Sequence, residues 1–387
     1  MKNVLFIGHE AGLSGAPMVL LHFLRWLRAN NSELHVDLLL LTGGKLLEEY
    51  SHVSDVYILP SKDRGILGKA ADHLKKRLSI ESKIKPVILP PFSRSYDLVV
   101  GNTIVSLEYL KFFKKKNFQT ICWLHELEFV VKSHYSEEKF VHLCSFVDRF
   151  IAVSNACRQM LEQVGIEKPI DVIYEFSRTK VTAITDVTFV KDSLGIPPEA
   201  FVVGGSGTIE WRKGVDIFLQ AALRLSAQGT SIYFVWVGAP PKDVNEYYRQ
   251  LMHDCRHAGL ESRVIFTGSL TDPHPIFAAM DVFALTSRED PFPLVCLEAA
   301  SLAKPIICFA GAGGMPEFVE EDAGVVVPYG DVEKLCETIL AFQNDTEYRL
   351  RTGKKARAKI ADRFSADSLS YRLNNILTSS INASVNK

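Results

Sequence analysis

A chain of 387 residues exceeds the length over which one hydrophobic core keeps growing, so two domains, or three, are expected. Apolar residues make up 47% and charged residues 23%, which sets aside disordered, collagenous and coiled-coil classes. The formal net charge of -1 sets aside a global attraction to nucleic acid, while leaving room for local basic patches.

In chain order, apolar runs bounded by glycine or polar turns alternate with longer helical patterns. NVLFIG is followed by APMVLLHFLRWLRAN, then VDLLLLT, DLVVGN, TICWLHE, and RFIAVS with NACRQMLEQV. This is the βαβ rhythm of a parallel sheet with helices on both faces. It lapses after Phe176, and the polar stretch 179–198, carrying Pro197 and Pro198, reads as a linker. A second series with the same grammar follows, from FVVGGSG through IYFVWVG, VIFTGS, VFALTS, PLVCLEAASLA and PIICFA to AGVVVPYG. The expectation is an α/β chain of two Rossmann-like domains with a ligand cleft between them, at the carboxyl ends of the strands. The first domain spans 1–178, the second 199–362, and a helical tail 363–387 closes the chain, with packing back on the first domain as one arrangement.

Seven cysteines, odd in number and without C-x-x-C, point to neither a disulfide framework nor a zinc ribbon and fit a reducing cytoplasm. MKNVLFIGHE reaches His9 and Glu10 after few apolar residues, and no apolar run of about 18 residues occurs, so neither signal peptide nor transmembrane anchor is expected. The histidines are dispersed, no H-E-x-x-H or strand-end D-x-D is present, and no metal site is expected. No G-x-S-x-G points to acyl chemistry.

Four pieces of the second half, in order, carry a resemblance: GSGTIEWRKGVDIFLQAA (205–222), YFVWVG (233–238), the long run 264–331 that contains SREDPFPLVCLEAA and GAGGMPEFVEE, and RTGKKARAKIADRFS. The first half adds GLSGAPMVLLHFL (12–24), WLHELE (123–128) and FIAVSNACRQML (150–161). Together they resemble family 4 of the retaining nucleotide-sugar glycosyltransferases, which have the GT-B fold. The looser match of the first half suits a domain that holds a variable acceptor.

The resemblance implies roles for named residues. The family's paired acids are E-x(7)-E; here Asp290 and Glu298 have that spacing, with the first acid one methylene shorter. Pro293 suits a first helical turn, which places Glu298 five residues in, roughly 7.5 Å along the axis. Taken alone, two such acids are better explained as a chance pair or as complement to a helix dipole. In the family frame Asp290 meets hydroxyls of the donor sugar and Glu298 accepts from the ribose, as carboxylates do well. Leu294 and Val295, between them, fall to the same donor site, and Glu289 is a decoy neighbour.

A departing diphosphate needs cations and oriented N–H groups. The family pattern G-R-x-x-x-x-K-G reads GTIEWRKG here: Lys213 and Gly214 match, Thr208 stands at the arginine position, and Arg212 precedes the lysine. Lys213 is therefore the expected diphosphate cation, with Arg212 as its candidate companion; the alternative is two exposed charges at a helix start. In GAGGMPE, Gly313, Gly314, Pro316 and Glu317 match the family's G-G-x-P-E, a turn leading into a helix whose N–H groups can face an anion. Gly15, in GLSGA after the first strand, falls where the family has a second glycine-rich turn. His125, in WLHELE, falls where related enzymes present a histidine to the donor sugar; Glu126 and Glu128 are companions without a firm role.

The catalytic set is thus His125, Asp290 and Lys213, with no metal and no cofactor beyond the nucleotide sugar itself. The expected reaction is transfer of a hexose from a UDP- or GDP-sugar, with retention, to a glycan or lipid-linked acceptor in cell-surface polysaccharide or glycolipid synthesis. A nucleotide-sugar epimerase or phosphorylase on the same fold, and a catalytically silent sugar-nucleotide-binding protein prompted by the missing arginine, are the rivals. Basic stretches at 69–85 and 111–116 read as solvated helix faces; contact with an anionic inner membrane leaflet is the second reading.

Overall fold

The computed structural model describes residues 2–59, 95–177, 186–240 and 246–385, and the basic stretch at 69–85 lies outside them. In the first half, β1 (Lys2–Gly8), β2 (Leu34–Leu40), β3 (Asp55–Ile58), β4 (Leu98–Asn102), β5 (Thr120–Leu124), β6 (Arg149–Ala152) and β7 (Ile170–Val172) form one sheet in the order β3-β2-β1-β4-β5-β6-β7. In the second, β8 (Val202–Ser206), β9 (Tyr233–Val237), β10 (Val264–Phe266), β11 (Val282–Leu285), β12 (Ile306–Phe309) and β13 (Gly324–Val327) run β10-β9-β8-β11-β12-β13. Every pairing is parallel. The central strands are continuous apolar runs because helices cover both faces: Val4, Leu5, Phe6 and Ile7 of β1 are all fully buried. Strand order reverses beside β1 and beside β8, so the loops after β1, β4, β8 and β11 splay apart there and leave a crevice at the carboxyl edge of each sheet.

The stretch read as an irregular linker contains a helix, Val187–Ser193, whose N-terminus is capped by the Asp186 carboxylate accepting from the Phe189 N–H at 3.1 Å. It packs on the helix His274–Ala279 and so belongs with the second domain. Val187, Val190 and Leu194 supply the helical spacing that the neighbouring prolines obscure. At the other end, the helix Ala366–Val385 leaves the second domain and packs on the first-domain helix Gly15–Asn30. Its stripe of Leu369, Leu373, Leu377 and Ile381, one residue per turn, is buried. Asn31 Nδ2 donates to Asn374 Oδ1 at 2.9 Å and Arg372 Nη2 to the Val172 carbonyl at 3.2 Å.

The domains meet over an aromatic cluster. Tyr174 of the first lies 4.9 Å from the Phe292 ring and 5.1 Å from Phe364, and Phe318 lies 5.1 Å from Phe364. Alongside, the Glu317 carboxylate accepts from the backbone N–H groups of Asn155 (2.9 Å) and Ala156 (3.0 Å) and from Asn155 Nδ2 (2.7 Å). It thereby caps the first-domain helix Asn155–Gln163 from the second domain, adding charge-assisted bonds to that helix's own Ser154 cap.

All seven cysteines are buried free thiols. Among the described residues no helix is long and apolar enough to cross a membrane.

Candidate active site

The second-domain wall of the crevice starts where β8 ends. The chain turns through Gly207 and the exposed Thr208 into a short 3-10 turn, Trp211–Lys213. Gly214 then adopts φ 64° and starts the helix Val215–Ala227; a Cβ at this position would sit 1.9 Å from the Thr286 carbonyl, so only glycine fits. This turn directs Lys213 along Gly207 into the crevice, where its Nζ donates to Asp290 Oδ2 at 2.6 Å. Ser287 Oγ donates to the same oxygen at 2.9 Å, and Arg212 Nη1 lies 4.0 Å from Oδ1. Burial by itself raises the Asp290 carboxyl, but Lys213 and Arg212 outweigh it and hold the group below the usual carboxylate range. Arg212 is anchored by the Glu289 carbonyl and the Glu210 carboxylate, both at 2.9 Å.

Asp290 is fixed through its backbone too. Its N–H donates to the Ala312 carbonyl at 2.7 Å and its carbonyl accepts from the Gly314 N–H at 3.3 Å, a parallel bridge that joins the acid loop to GAGGMPE. Gly313, at φ 138°, would place a Cβ 1.8 Å from the Asp290 carbonyl, and Gly314 would place one 2.5 Å from Ser154 Cβ across the domain boundary. The helix that follows, Met315–Val319, has five residues, and the Gly314 N–H before it is already bonded to Asp290 and Pro291 carbonyls. Here the two glycines answer to close packing around Asp290.

Pro293 precedes the helix Leu294–Ser301, with Leu294 buried and Val295 partly so. Glu298 stands at its fifth position, 3.5 Å from Ser177 Oγ. Burial pushes its carboxyl up to about 7, with His274 and the Ser177 hydroxyl opposing. Glu298 is therefore partly protonated near neutrality, unlike Asp290. Glu289, immediately before Asp290 in sequence, turns to the first domain, where it accepts from the N–H groups of Phe129 (2.8 Å) and Val130 (3.4 Å). The Phe129 ring meets Trp211 at 5.3 Å, and the Arg288 guanidinium lies over Trp211 at 4.6 Å, so the domains also touch here.

On the first-domain wall, His125 follows β5 and is buried. Its Nδ1 is 2.9 Å from Glu175 Oε1 and its Nε2 is 2.8 Å from Asn102 Oδ1. The Asn102 amide donates to the Ala16 carbonyl at 3.2 Å, which orients its oxygen toward the ring; both contacts are then complete when both ring nitrogens donate. Gly15 opens the neighbouring helix with room to spare: a Cβ there would lie 3.6 Å from Glu175 Oε2. Glu126 is a brace, accepting from the N–H groups of His125 (3.0 Å) and Ile104 (3.2 Å), while Glu128 pairs with Lys132 on its own helix.

Sequence reasoning missed four groups. Glu175 and Asn102 hold His125, and Ser287 holds Asp290; none has a spacing that marks it. His9, in the loop after β1, has a buried Nδ1 without a protein partner, and burial lowers its pKa, with Glu10 opposing and His125 adding to the effect. Its position directly after a strand at the switch point was the available signal. Three residues also assemble that a linear search for metal motifs cannot see: His35, Asp37 and Asp55, with ligand atoms within 4.8 Å of one another. They sit at the amino ends of β2 and β3, away from the crevice, and Tyr96 also bonds Asp37.

Two family models match the chain in tandem, Glycosyltransferase Family 4 over residues 13–176 and Glycosyl transferases group 1 over 186–359. The chain belongs to the family 4 glycosyltransferases. Among curated relatives of this family, the lipopolysaccharide core biosynthesis glycosyltransferase LpsE of Rhizobium meliloti (strain 1021) is 25% identical over 211 residues, 54% of this chain and 58% of that one. The O-antigen chain mannosyltransferase C of Escherichia coli is 30% identical over 168 residues, 42% of each chain. The chain spans about half the length of the curated relatives it matches. Among solved structures, Anabaena Alr3699/HepE in complex with UDP-glucose superposes with a TM-score of 0.80 at 23% identity, covering 98% of this chain and 100% of that one. The family's GT-B architecture is thus the fold of this chain.

Proposed function

We propose that the protein transfers a hexose from a UDP- or GDP-sugar to a glycan or lipid-linked acceptor, with retention of configuration, in the synthesis of cell-surface polysaccharide or glycolipid. The observation that carries this reading is the arrangement at the edge of the second sheet: a buried Lys213–Asp290 pair, with Glu298 on the adjoining helix. Lys213 and Arg212 neutralise the diphosphate, Glu298 takes the ribose hydroxyls, and Asp290, released from Lys213 as phosphate replaces it, takes sugar hydroxyls. His125, locked by Glu175 and Asn102, orients the sugar from the opposite wall. The acceptor hydroxyl attacks the face that the diphosphate leaves: the C1–O bond to phosphate breaks, the new glycosidic bond forms, and the acceptor proton passes to the departing phosphate oxygen. No carboxylate is assigned as a nucleophile, and Lys213 and Arg212 meet the diphosphate charge without an assigned metal.

The relatives' names support the polysaccharide setting, and HepE's complexes with UDP and UDP-glucose support a nucleotide-sugar donor. A cytoplasmic enzyme working at the inner face of the membrane fits the basic segment at 111–116, where Lys115 and Lys116 are exposed while Lys114 is held by Asp148 at 2.7 Å. The test is radiolabelled transfer from a panel of UDP- and GDP-hexoses to membrane-extracted glycolipids. Labelled product in the wild type and none in Lys213→Ala is the expected result. A changed free sugar without an acceptor establishes the epimerase reading, and donor binding without turnover establishes the silent one.

A further inference from the structure

The end of the second sheet opposite the crevice carries a cavity of about 630 Å³. It lies among the amino ends of the strands: Phe201 precedes β8, Tyr233 opens β9, Arg263 precedes β10 and Asp281 precedes β11. Lys191 enters from the helix Val187–Ser193, and Arg349 from the helix Thr346–Arg363.

The charges here do not balance. Lys191 is buried, and its Nζ donates to two carbonyls, Pro198 at 3.0 Å and Ala200 at 2.8 Å. Arg349 donates to the Phe342 carbonyl at 2.6 Å, lies over the Phe201 ring, and reaches Asp281 only at 3.5 Å. Arg263 donates to the Thr230 carbonyl. Lys304, just behind, donates to the Ala278 carbonyl at 2.8 Å. Burial lowers its ammonium to about 8; Asp281 opposes that, and Lys191 and Arg349 add to it, which places all three cations in one field. Asp281 also caps the Val202 N–H at 2.9 Å, and the exposed Glu199 at the rim makes no ion pair with any of these cations. Four cations are thus met mainly by neutral carbonyls. Partly buried positive charge that outnumbers its carboxylates, here Asp281 alone among the described residues in an ion pair with Arg349, is favoured further when an anion joins it.

We propose that this cavity is a second ligand site, separate from the donor crevice, that takes the phosphate group of a molecule of hexose-phosphate size. Its volume falls in the range of small-molecule pockets, and guanidinium with ammonium groups is the donor set that recognises phosphate. The site lies against the elements that open β8, β10 and β11, and β8 and β11 carry Lys213 and Asp290 on the loops at their far ends.

The test is thermal-shift and calorimetric titration with glucose 6-phosphate and with inorganic phosphate, at constant ionic strength. The proteins are the wild type, Lys213→Ala, Arg263→Gln and Glu199→Gln. Saturable binding in the wild type that persists in Lys213→Ala is expected, because the donor cation is not involved. Arg263→Gln should weaken it about tenfold, the loss of one charged hydrogen bond. Glu199→Gln, which alters only an exposed rim side chain, should tighten it. Preference for the sugar phosphate or for the free anion identifies the ligand, and either supports the site. Absence of binding, binding abolished by Lys213→Ala, or a dissociation constant unchanged in both Arg263→Gln and Glu199→Gln overturns it.

Discussion

Lys213 and Asp290, 77 positions apart in the chain, form a mostly buried ion pair 2.6 Å long, with side chains 13% and 6% exposed. The cation assigned to the diphosphate is therefore held by the acid assigned to the sugar. Ligand binding on this reading exchanges one partner for another and exposes no naked charge.

Removing one member of that pair leaves the other buried and uncompensated. Lys213→Ala should lose about 3 kcal/mol of stability, and the double variant Lys213→Ala/Asp290→Asn should recover part of it. Urea denaturation of the wild type, both single variants and the double variant closes the cycle. Additive losses would sink the claim that the two groups act on each other.

Glu298 gives a pH dependence whose sign can be stated. Its folded-state pKa of about 7 lies above the ordinary carboxylate value, so folding favours the proton. Its contribution to stability is fully present at low pH and is lost as pH rises toward 7. Ribose hydroxyls, which donate, favour the ionised form, so nucleotide affinity should rise from pH 6 to about pH 8 on this account. Calorimetric titration of UDP should show that rise in the wild type and a flatter profile in Glu298→Gln, after the shared titration of the phosphate itself. Superimposable profiles would remove Glu298 from the ribose site. The same variant should be more heat-stable than the wild type above pH 7.

The glycines divide by what surrounds them. Gly314→Ala forces a Cβ against Ser154 and the Pro291 carbonyl, and Gly313→Ala adds the strain of φ 138°, so each should cost on the order of 1–3 kcal/mol and displace Asp290. Gly15→Ala meets only ordinary contact and should leave the melting temperature near the wild-type value. Differential scanning calorimetry of the three variants checks the ordering.

Glu317→Gln replaces a carboxylate that serves three N–H donors by a group with one oxygen. A loss of about 1–2 kcal/mol is expected, the scale of a removed helix cap. Limited proteolysis should show faster cleavage around Asn155 in the variant, and unchanged cleavage would show that the contact does not hold the domains.

Much of the fold is legible in the amino-acid sequence. The two runs of buried strands gave both sheets, since only fully covered strands are apolar throughout. The motifs singled out Lys213 and Asp290, which the fold pairs, because each is tied to a turn or a helix start with its own signature. What escaped was long-range: Glu175 stands 50 positions from His125, and Glu317 162 from Asn155, with no local spacing to announce either contact. Glu289 looked like a bystander because its partners are backbone N–H groups, which no side-chain pattern encodes. The helix Val187–Ser193 escaped because its short apolar spacing was outweighed by the prolines after it.

The closing helix ties the second domain to the first a second time, so the two bodies are linked at the end of β7 and again near Phe364. The two crossings lie close together: the Tyr174 ring of the first domain is tilted 54° against Phe364 at 5.1 Å, and Asn155 Nδ2 donates to the Tyr174 hydroxyl at 3.1 Å. The Glu289 bonds to the Phe129 and Val130 N–H groups, next in sequence to Asp290, join the acid loop to the first domain at a separate point, so a change in the spacing of the two domains would be felt at Asp290.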